Sequence, residues 1–272
     1  MTKLTKRSRL AGVLIAGSML VSSCGGGGDV ATDLPTIELA GDRAMLAAAV
    51  ERTESVDSFR FAMLIEMNVL DEGSVRIEAD GAVDGTGATS MELQFKGTGG
   101  AGDLDMSAMS AMFGGESMQI VQSGSTAYMK APGLTAMLGS DADWIAMPAE
   151  SSSELTFGME MGSPTSYFAD LPDQMTVTEH GRETVAGVSA TKFRLDLGDL
   201  ETGDADVDAL LADAGPVYVW IDDTGLLRRM ELSFDVLGMS GGLVIETFDF
   251  GADVDVDVPT DALSIDPDQF GF

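Results

Sequence analysis

Basic residues are scarce in this sequence. Lys and Arg together number 15 against 45 Asp and Glu, and residues 1–23 contain four of the basic residues but no acidic residue. The rest of the chain therefore carries 11 basic and 45 acidic residues, a formal net charge of −34. Binding of phosphate groups depends on lysine and arginine, so this composition excludes a nucleic-acid partner and disfavours broad electrostatic contact with anionic lipid headgroups. The acidity suits a salty environment, where screening weakens the repulsion between like charges.

Long apolar runs, histidine and cysteine are also scarce. The apolar run at 10–21 is 12 residues long, which is too short to span a bilayer as a helix, since about 20 residues are needed. It follows four basic residues at positions 3, 6, 7 and 9, and this order is typical of an export signal. The single histidine, His180, and the single cysteine, Cys24, limit the chemistry that the side chains can perform.

The single cysteine directly follows the export signal. Val21-Ser22-Ser23-Cys24 resembles the lipobox of bacterial lipoproteins, in which the thiol is alkylated with diacylglycerol and the chain is cut just before it. The resemblance implies a signal peptide at 1–23, lipidation with palmitate-type acyl chains at Cys24, and an extracytoplasmic location at the cell membrane. Two or three acyl chains give lasting attachment, whereas one chain is marginal. The alternative is an ordinary signal peptide followed by a chance cysteine.

The segment after Cys24 has the composition of a flexible tether. Residues 25–28 are all glycine, and Pro35 and Gly41 interrupt the polar stretch that follows. Such a segment has few side chains to pack. The chain is therefore divided into a signal peptide at 1–23, a lipidated tether at 24–41 and a single folded domain at 42–272. About 230 residues are enough for one domain with a large core.

Apolar residues alternate with polar residues in many short segments. Every second residue from 59 to 69 is apolar, and Arg60, Glu66 and Asn68 stand among the others. This period of two is typical of an amphipathic strand. Asp223-Thr224-Gly225 indicates a tight hairpin turn. The patterns predict about eleven strands, at 59–69, 75–83, 91–95, 117–122, 126–130, 144–147, 175–179, 190–197, 217–221, 230–236 and 243–250.

Helical patterns are few and short. Asp42 is placed to cap a helix whose apolar face includes Met45, Leu46 and Ala49, and further helices are predicted at 105–113, 163–171 and 204–215. So few helices cannot cover a flat sheet of about eleven strands. The predicted fold class is therefore α+β, with one large antiparallel sheet that curls. It either closes on its own side chains or wraps the helices and leaves a cavity.

Methionine is abundant, with 18 residues. Unbranched thioethers adapt to irregular apolar guests. They also bind Cu(I), but such copper sites usually include histidine and His180 stands alone, so no metal site is predicted. The candidate lining of an apolar cavity combines one face of three strands with a methionine-rich lid: Phe61, Met63, Ile65, Met67, Met91, Leu93, Phe95, Met106, Met109, Met112, Phe113, Met230, Leu232 and Phe234. The alternative is that this face is fully packed in a dry core.

Two enzyme motifs match by letter but not by context. G-x-G-x-x-G occurs at 97–102, but aspartates follow where a pyrophosphate would bind and no βαβ unit is present. G-x-S-x-G occurs at 238–242 between two predicted strands, whereas a nucleophile elbow needs a helix after the serine. The alternating aspartates at 253–257 indicate the solvated face of a strand and not a calcium loop. The sequence predicts neither catalysis nor a cofactor.

Several segments in a fixed order resemble one family. The lipobox, the glycine-rich tether and the opening helix are followed by "STAYMKAP", "HGRETVAGVSATKFRLDL", "PVYVWIDDTGLLRRMELSFD" and "FDFGADVDVDVP". Together they resemble the actinobacterial LppX/LprG-type lipoproteins and their LolA/LolB-like relatives. The resemblance implies a half-barrel of antiparallel strands with helices on its concave face. It also implies a cavity between the sheet and the helices, which would hold acyl chains of lipids or lipoglycans in transit across the envelope. The alternative partner is an envelope protein bound by the same fold, as in sensors and assembly factors.

Overall fold

The computed structural model describes residues 43–69, 73–98, 117–151, 176–196, 214–236 and 239–265. Cys24, the tether and the predicted helices at 105–113 and 163–171 lie outside the described residues. So do most of the predicted helix at 204–215 and the proposed lid residues Met106, Met109, Met112 and Phe113. These predictions, like the division of the chain into segments, remain expectations.

The described residues form two α-helices, one short 3₁₀-helix and twelve strands. The helices are α1 (Arg43–Glu54) and α2 (Pro132–Met137), and the 3₁₀-helix is Ala149–Ser151. The strands are β1 (Phe59–Val69), β2 (Gly73–Val83), β3 (Thr89–Thr98), β4 (Ser117–Ser123), β5 (Thr126–Lys130), β6 (Trp144–Pro148), β7 (Thr176–Val185), β8 (Val188–Asp196), β9 (Ala214–Asp222), β10 (Leu227–Val236), β11 (Met239–Phe248) and β12 (Ala262–Ser264).

All of the strands belong to one open, curved sheet. Their order is β12-β6-β5-β4-β3-β2-β1-β11-β10-β9-β8-β7, so β12 and β7 are the two edges. Every pairing is antiparallel except that of β12 with β6. The predicted α+β fold class, a large curved antiparallel sheet forming a half-barrel with few short helices, is confirmed.

The two faces of the sheet differ in polarity because successive side chains of a strand point to opposite sides. On β1, Phe61 and Met63 are buried on the concave face, whereas Arg60, which directly precedes Phe61, is exposed on the convex face. Helix α1 covers part of the concave face, and its Leu46 and Ala49 join the same core cluster. The Thr53 hydroxyl accepts a hydrogen bond from the Leu227 amide at 2.9 Å and so ties the last turn of α1 to the start of β10.

Each of the eleven predicted strands has a counterpart, but two further elements were not predicted and three local predictions are corrected. Strand β12 was not predicted, because its three residues are too few to show an alternating pattern. Helix α2 was not predicted either. His180, expected at a turn, lies within β7, and β9 begins at Ala214, within the last residues of the predicted helix at 204–215. Residues 253–257 form no strand, although the aspartates of this extended segment are exposed as expected and Val256 is buried.

Two hairpins of the sheet repeat one sequence pattern. Residues 84–95 and 222–234 both read D-x-T-G at the turn and M-E-L-x-F on the following strand. The second copy contains one additional residue between these two motifs, and the register of β10 against β9 shifts between Leu227 and Arg229, leaving Arg228 as a bulge. In the sheet, β10 lies four strands from β3, and β9 lies four strands from β2. The sheet therefore contains two equivalent four-stranded meanders, β1–β4 and β8–β11.

The first aspartate of each repeat closes its turn. Asp84 Oδ1 accepts hydrogen bonds from the Thr86 amide at 2.8 Å, the Thr86 hydroxyl at 2.7 Å and the Ala88 amide at 3.0 Å. Asp222 Oδ1 is bonded in the same way by Thr224 and Leu226. Its other oxygen, Oδ2, lies 2.7 Å from Nε of the bulged Arg228, in an ion pair whose two side chains are both buried.

The environment of Asp84 favours its charged form. Burial by itself would raise the pKa of Asp84, but hydrogen bonds from the Thr86 side chain and from the amides of Thr86, Ala88 and Val256 outweigh it and hold the pKa below the ordinary value. The amide of Val256 belongs to the segment that crosses the convex face after β11. Asp84 therefore joins the β2–β3 turn to the C-terminal part of the chain.

Asp84→Asn is expected to lower the free energy of unfolding at neutral pH by about 1–2 kcal/mol, because hydrogen bonds to a charged group contribute more than neutral ones. The folded state lowers the pKa, so this contribution is complete above the pKa of the unfolded chain, near about 4. It is lost as the pH falls through the lower pKa of the folded state. Urea unfolding at a series of pH values measures it, with Asp257→Asn in the exposed segment as control. A difference from wild type that stays constant down to acidic pH would contradict the assignment.

Candidate functional site

The concave face is built from rows of apolar side chains that run across the strands. The antiparallel register sets Met63 opposite Ala79 and Ile245, and Ile65 opposite Ile77 and Leu243. The rows continue outward on both sides, from Ala79 to Leu93 and from Leu243 to Leu232. Since register fixes which face each residue occupies, all the predicted cavity residues on β1, β3 and β10 share one surface.

Burial on this face changes from one end of the strands to the other. Met63 is 6% exposed, Leu93 is 0% exposed and Met230 is 6% exposed, so they belong to the packed core. Two residues further along β1, Ile65 is only half-buried. The half-buried residues toward the C-terminal end of β1 are here called the apolar belt: Ile65, Met67, Val75, Phe95, Leu232, Phe234 and Leu243.

The predicted lining divides between these two zones. Five of its residues lie in the packed core: Phe61, Met63, Met91, Leu93 and Met230. Five lie in the apolar belt: Ile65, Met67, Phe95, Leu232 and Phe234. The other four lie outside the described residues. Val75 and Leu243 belong to the belt but were not selected from the sequence, although both stand in alternating segments that predicted strands.

Glycine shapes one end of the belt. The ring of Phe234 lies across Gly241, where a Cβ atom would stand 2.6 Å from the Phe234 ring and 2.3 Å from the Glu66 carbonyl oxygen. No side chain fits at position 241 without moving the backbone of β1 or this ring. Glycine is therefore required here because the backbone and the aromatic ring approach closely.

The chemistry of the belt is that of an apolar binding surface. None of its seven residues is ionisable, and its side chains are aliphatic, aromatic or thioether groups. Among the described residues no cluster of three or more His, Cys, Asp or Glu could hold a metal ion. His180 stacks on the Tyr218 ring with centroids 5.8 Å apart, and Tyr218 lies on the convex face. The structure therefore does not bring His180 together with the methionines of the concave face.

The convex face carries charge networks. Arg76 contacts Glu66 and Glu78, and Lys96 Nζ lies 2.5 Å from Glu78 Oε2. The hydrogen bond from Lys96, followed by that from Arg76, lowers the pKa of Glu78 below its usual value. Further along the sheet, Lys192 Nζ lies 4.3 Å from the centre of the Tyr218 ring. The charged groups of these strands are thus directed away from the apolar belt.

A second concavity lies at the other end of the sheet. This cleft has a volume of about 600 Å³ and is lined by residues that include Thr126, Met147, Pro148 and Ser264. It lies beside the β4–β5 turn and the end of β6, opposite to the end that carries the belt. No residue predicted from the sequence as cavity lining contributes to it.

The chain is similar in fold to several solved structures. Lipoprotein LppX of Mycobacterium tuberculosis matches with a TM-score of 0.41 and 17% identity, covering 79% of this chain and 100% of that chain. A LolA superfamily protein of Nitrosomonas europaea matches with a TM-score of 0.32 and 12% identity, covering 79% of this chain and 96% of that chain. MucB of Pseudomonas aeruginosa, solved in complex with MucA, matches with a TM-score of 0.35 and 16% identity, covering 77% of this chain but 58% of that chain.

No family model and no curated protein matches the chain. The solved neighbours include both groups named from the sequence, the LppX type and the LolA type. The likeness is one of fold. Among the described residues, neither helix has the length and the apolar character needed to cross a membrane.

The two zones of the concave face are expected to respond differently to a larger side chain. Ile65→Trp enlarges a half-buried residue of the belt and should change the free energy of unfolding by less than about 1 kcal/mol. Met63→Trp enlarges a residue of the same face two positions away, within the packed core, and should cost about 1–3 kcal/mol through overpacking. Urea denaturation of both variants makes the comparison. Equal losses would mean that the belt is packed as tightly as the core.

Proposed function

We propose that this protein is a membrane-anchored lipoprotein on the extracytoplasmic side of the cell membrane, which binds acyl chains of a lipid or lipoglycan and carries it within the envelope. The protein would act by burial and release and not by catalysis. Its binding surface is the apolar belt, and its attachment to the membrane is through lipidated Cys24.

One observation above all supports this proposal: burial falls along a single apolar face. Met63 and its neighbours are closed off from solvent, whereas Ile65, Leu232 and Leu243 on the next row remain partly exposed. A soluble domain gains free energy when such a surface is covered. Burying an acyl chain contributes about 0.8 kcal/mol per CH₂, so a long chain gains on the order of 10 kcal/mol without any polar contact. The aliphatic, aromatic and thioether composition of the belt suits this kind of ligand.

Methionine gives the face room to adapt. Met67 lies within the belt, and Met63 and Met230 lie in the buried row next to it on the same face. Thioether side chains are unbranched and change rotamer at little cost, so they fit irregular apolar guests. A binding surface with this composition is suited to a class of acyl chains and not to one rigid molecule.

A protein partner is the second candidate function, and a different observation favours it. Strand β7 is an edge of the sheet and most of its residues, from Thr178 to Thr184, are exposed. An exposed edge strand offers unpaired backbone groups to an extended segment of another chain. The register shift between Glu179 and Arg182, with Gly181 at a φ of 108°, interrupts this edge. The part of β7 nearest the β8 hairpin is therefore the better candidate for strand addition.

Lipid occupancy tests the first candidate directly. The full chain is given the substitution Cys24→Ser, so that no acyl group is attached at this position. It is purified from a lipid-containing host and measured by native mass spectrometry. We expect a co-purifying lipid, and we expect Ile65→Trp to lose it because the indole occupies the belt. Val258→Trp, at an exposed position outside the sheet, is the control. An empty protein that captures an envelope protein would support the second candidate, and a metal adduct would support neither.

The anchor is tested separately. Cys24→Ala should abolish incorporation of labelled palmitate and release the protein from the membrane fraction, because no other thiol exists in the chain. Ser23→Ala keeps a small residue before the cysteine and should leave both properties unchanged. If Cys24→Ala remained labelled and membrane-bound, the lipobox interpretation would be wrong.

A further inference from the structure

An apolar tip projects from the connection between β5 and β6. Met137, the last residue of α2, is 82% exposed, and the following Leu138 is 38% exposed. These two residues are here called the α2 tip. Only one other large apolar residue among the described parts of the chain, Val258, is exposed to a comparable degree, at 37%. Exposure of Met137 to this extent costs hydration free energy that a partner would recover.

The connection holds the tip in a fixed conformation. Helix α2 ends with hydrogen bonds from the Ser140 amide to the Thr135 carbonyl at 2.9 Å and from the Gly139 amide to the Ala136 carbonyl at 3.0 Å. Gly139 has a φ of 76°, and this combination is a Schellman motif. The Thr135 side chain is buried, and its hydroxyl donates to the Ala142 carbonyl. The exposure of Met137 is therefore built into an ordered, hydrogen-bonded loop.

The tip is also free of charge in a strongly acidic chain. Residues 131–140 contain no ionisable side chain, although 22% of the whole chain is charged. Lys130 precedes this stretch, and the exposed Asp141 and Asp143 follow it. A short neutral segment bounded by charged residues allows the apolar side chains to leave water while the charges remain solvated.

The fold places the tip at the same end of the sheet as the apolar belt. Strands β1, β3 and β5 run in the same direction, because each is separated from the next by one antiparallel strand. The belt lies toward the C-terminal ends of β1 and β3, and α2 directly follows the C-terminal end of β5. Leu134, on the inner side of α2, packs against the same core cluster as the belt.

We propose that the α2 tip inserts into the interfacial region of a lipid bilayer and turns the open end of the concave face toward it. The inference rests on the proposed function, because it gives the acyl chain a short apolar path between membrane and belt. The bilayer is the occupant that fits this surface: the tip is apolar and uncharged, and it lies at the same end of the sheet as the belt. With a net charge of −34 on residues 24–272, the chain should prefer zwitterionic lipid, since anionic headgroups repel it.

Tryptophan scanning of the full chain tests this contact. Met137→Trp and, as matched control, Val258→Trp are each reconstituted into vesicles of phosphatidylcholine with brominated acyl chains. Trp144 and Trp220 provide the same background in both variants. We expect the emission of Met137→Trp to shift to shorter wavelength and to be quenched by the bromine, whereas that of Val258→Trp is unchanged. Leu138→Trp repeats the measurement at the neighbouring position, and thermal unfolding establishes that each variant folds.

The outcomes separate this inference from the proposed function. Equal quenching at positions 137 and 258, or none at either, overturns insertion of the tip even if lipid co-purifies with the protein. Quenching at 137 alone supports insertion even if the purified protein is empty, in which case the carrier function fails by itself. A blue shift without quenching, increasing with protein concentration, would identify a second copy of the chain as the occupant and would also overturn the proposal. Replacing half of the phosphatidylcholine with phosphatidylglycerol should weaken the quenching at low salt, and added salt should restore it.

Discussion

The structure depends on the need to cover one apolar face of a large sheet. Alternation along each strand gives the twelve-stranded sheet a concave face that is apolar over most of its width. Helix α1 packs on this face through Leu46 and Ala49, and the rows around Met63 are closed off from water. In the next row Ile65, Leu243 and Leu232 are only half-buried, although Ile77, Val217 and Leu195 of that row are buried. The same apolar face thus forms both the buried core and the partly exposed belt. The belt is the candidate site.

The sheet is held in register by its repeated turns. Asp84 and Asp222 make the same set of hydrogen bonds within their turns, and each uses its remaining capacity differently. Asp222 pairs with Arg228, the residue added at a bulge. Asp84 instead receives the amide of Val256, so the segment after β11 is fixed against the convex face. Both hairpins therefore use the same turn motif. Only the copy at Asp84 also holds the C-terminal segment against the sheet.

Charged side chains distinguish the two faces of the sheet. Arg76, Lys96 and Glu78 form their network on the convex side, which faces away from the belt. The concave belt contains no ionisable group, so any binding there would depend on shape and apolar area, and selection of a headgroup would have to come from other residues. The α2 tip, at the same end of the sheet as the belt, is likewise uncharged. Its Met137 is exposed, and the buried Thr135 and the Gly139 cap hold the loop in place.

The amino-acid sequence by itself determined the fold class, eleven of the twelve described strands and the faces of their residues. Period-two alternation is a local property, so the bounds of β1 and β5 could be predicted to the residue and the concave position of Ile65 and Leu232 followed from it. Strand β12 could not be predicted, because it exists through pairing with β6 and not through its own pattern. The extended segment at 253–257 alternates like a strand, but only the tertiary structure decided that it packs on the convex face without a pairing partner. The division between core and belt could likewise not be predicted from the sequence. Met63 and Ile65 are equivalent in the alternating pattern, and their burial differs only because the packing above them differs.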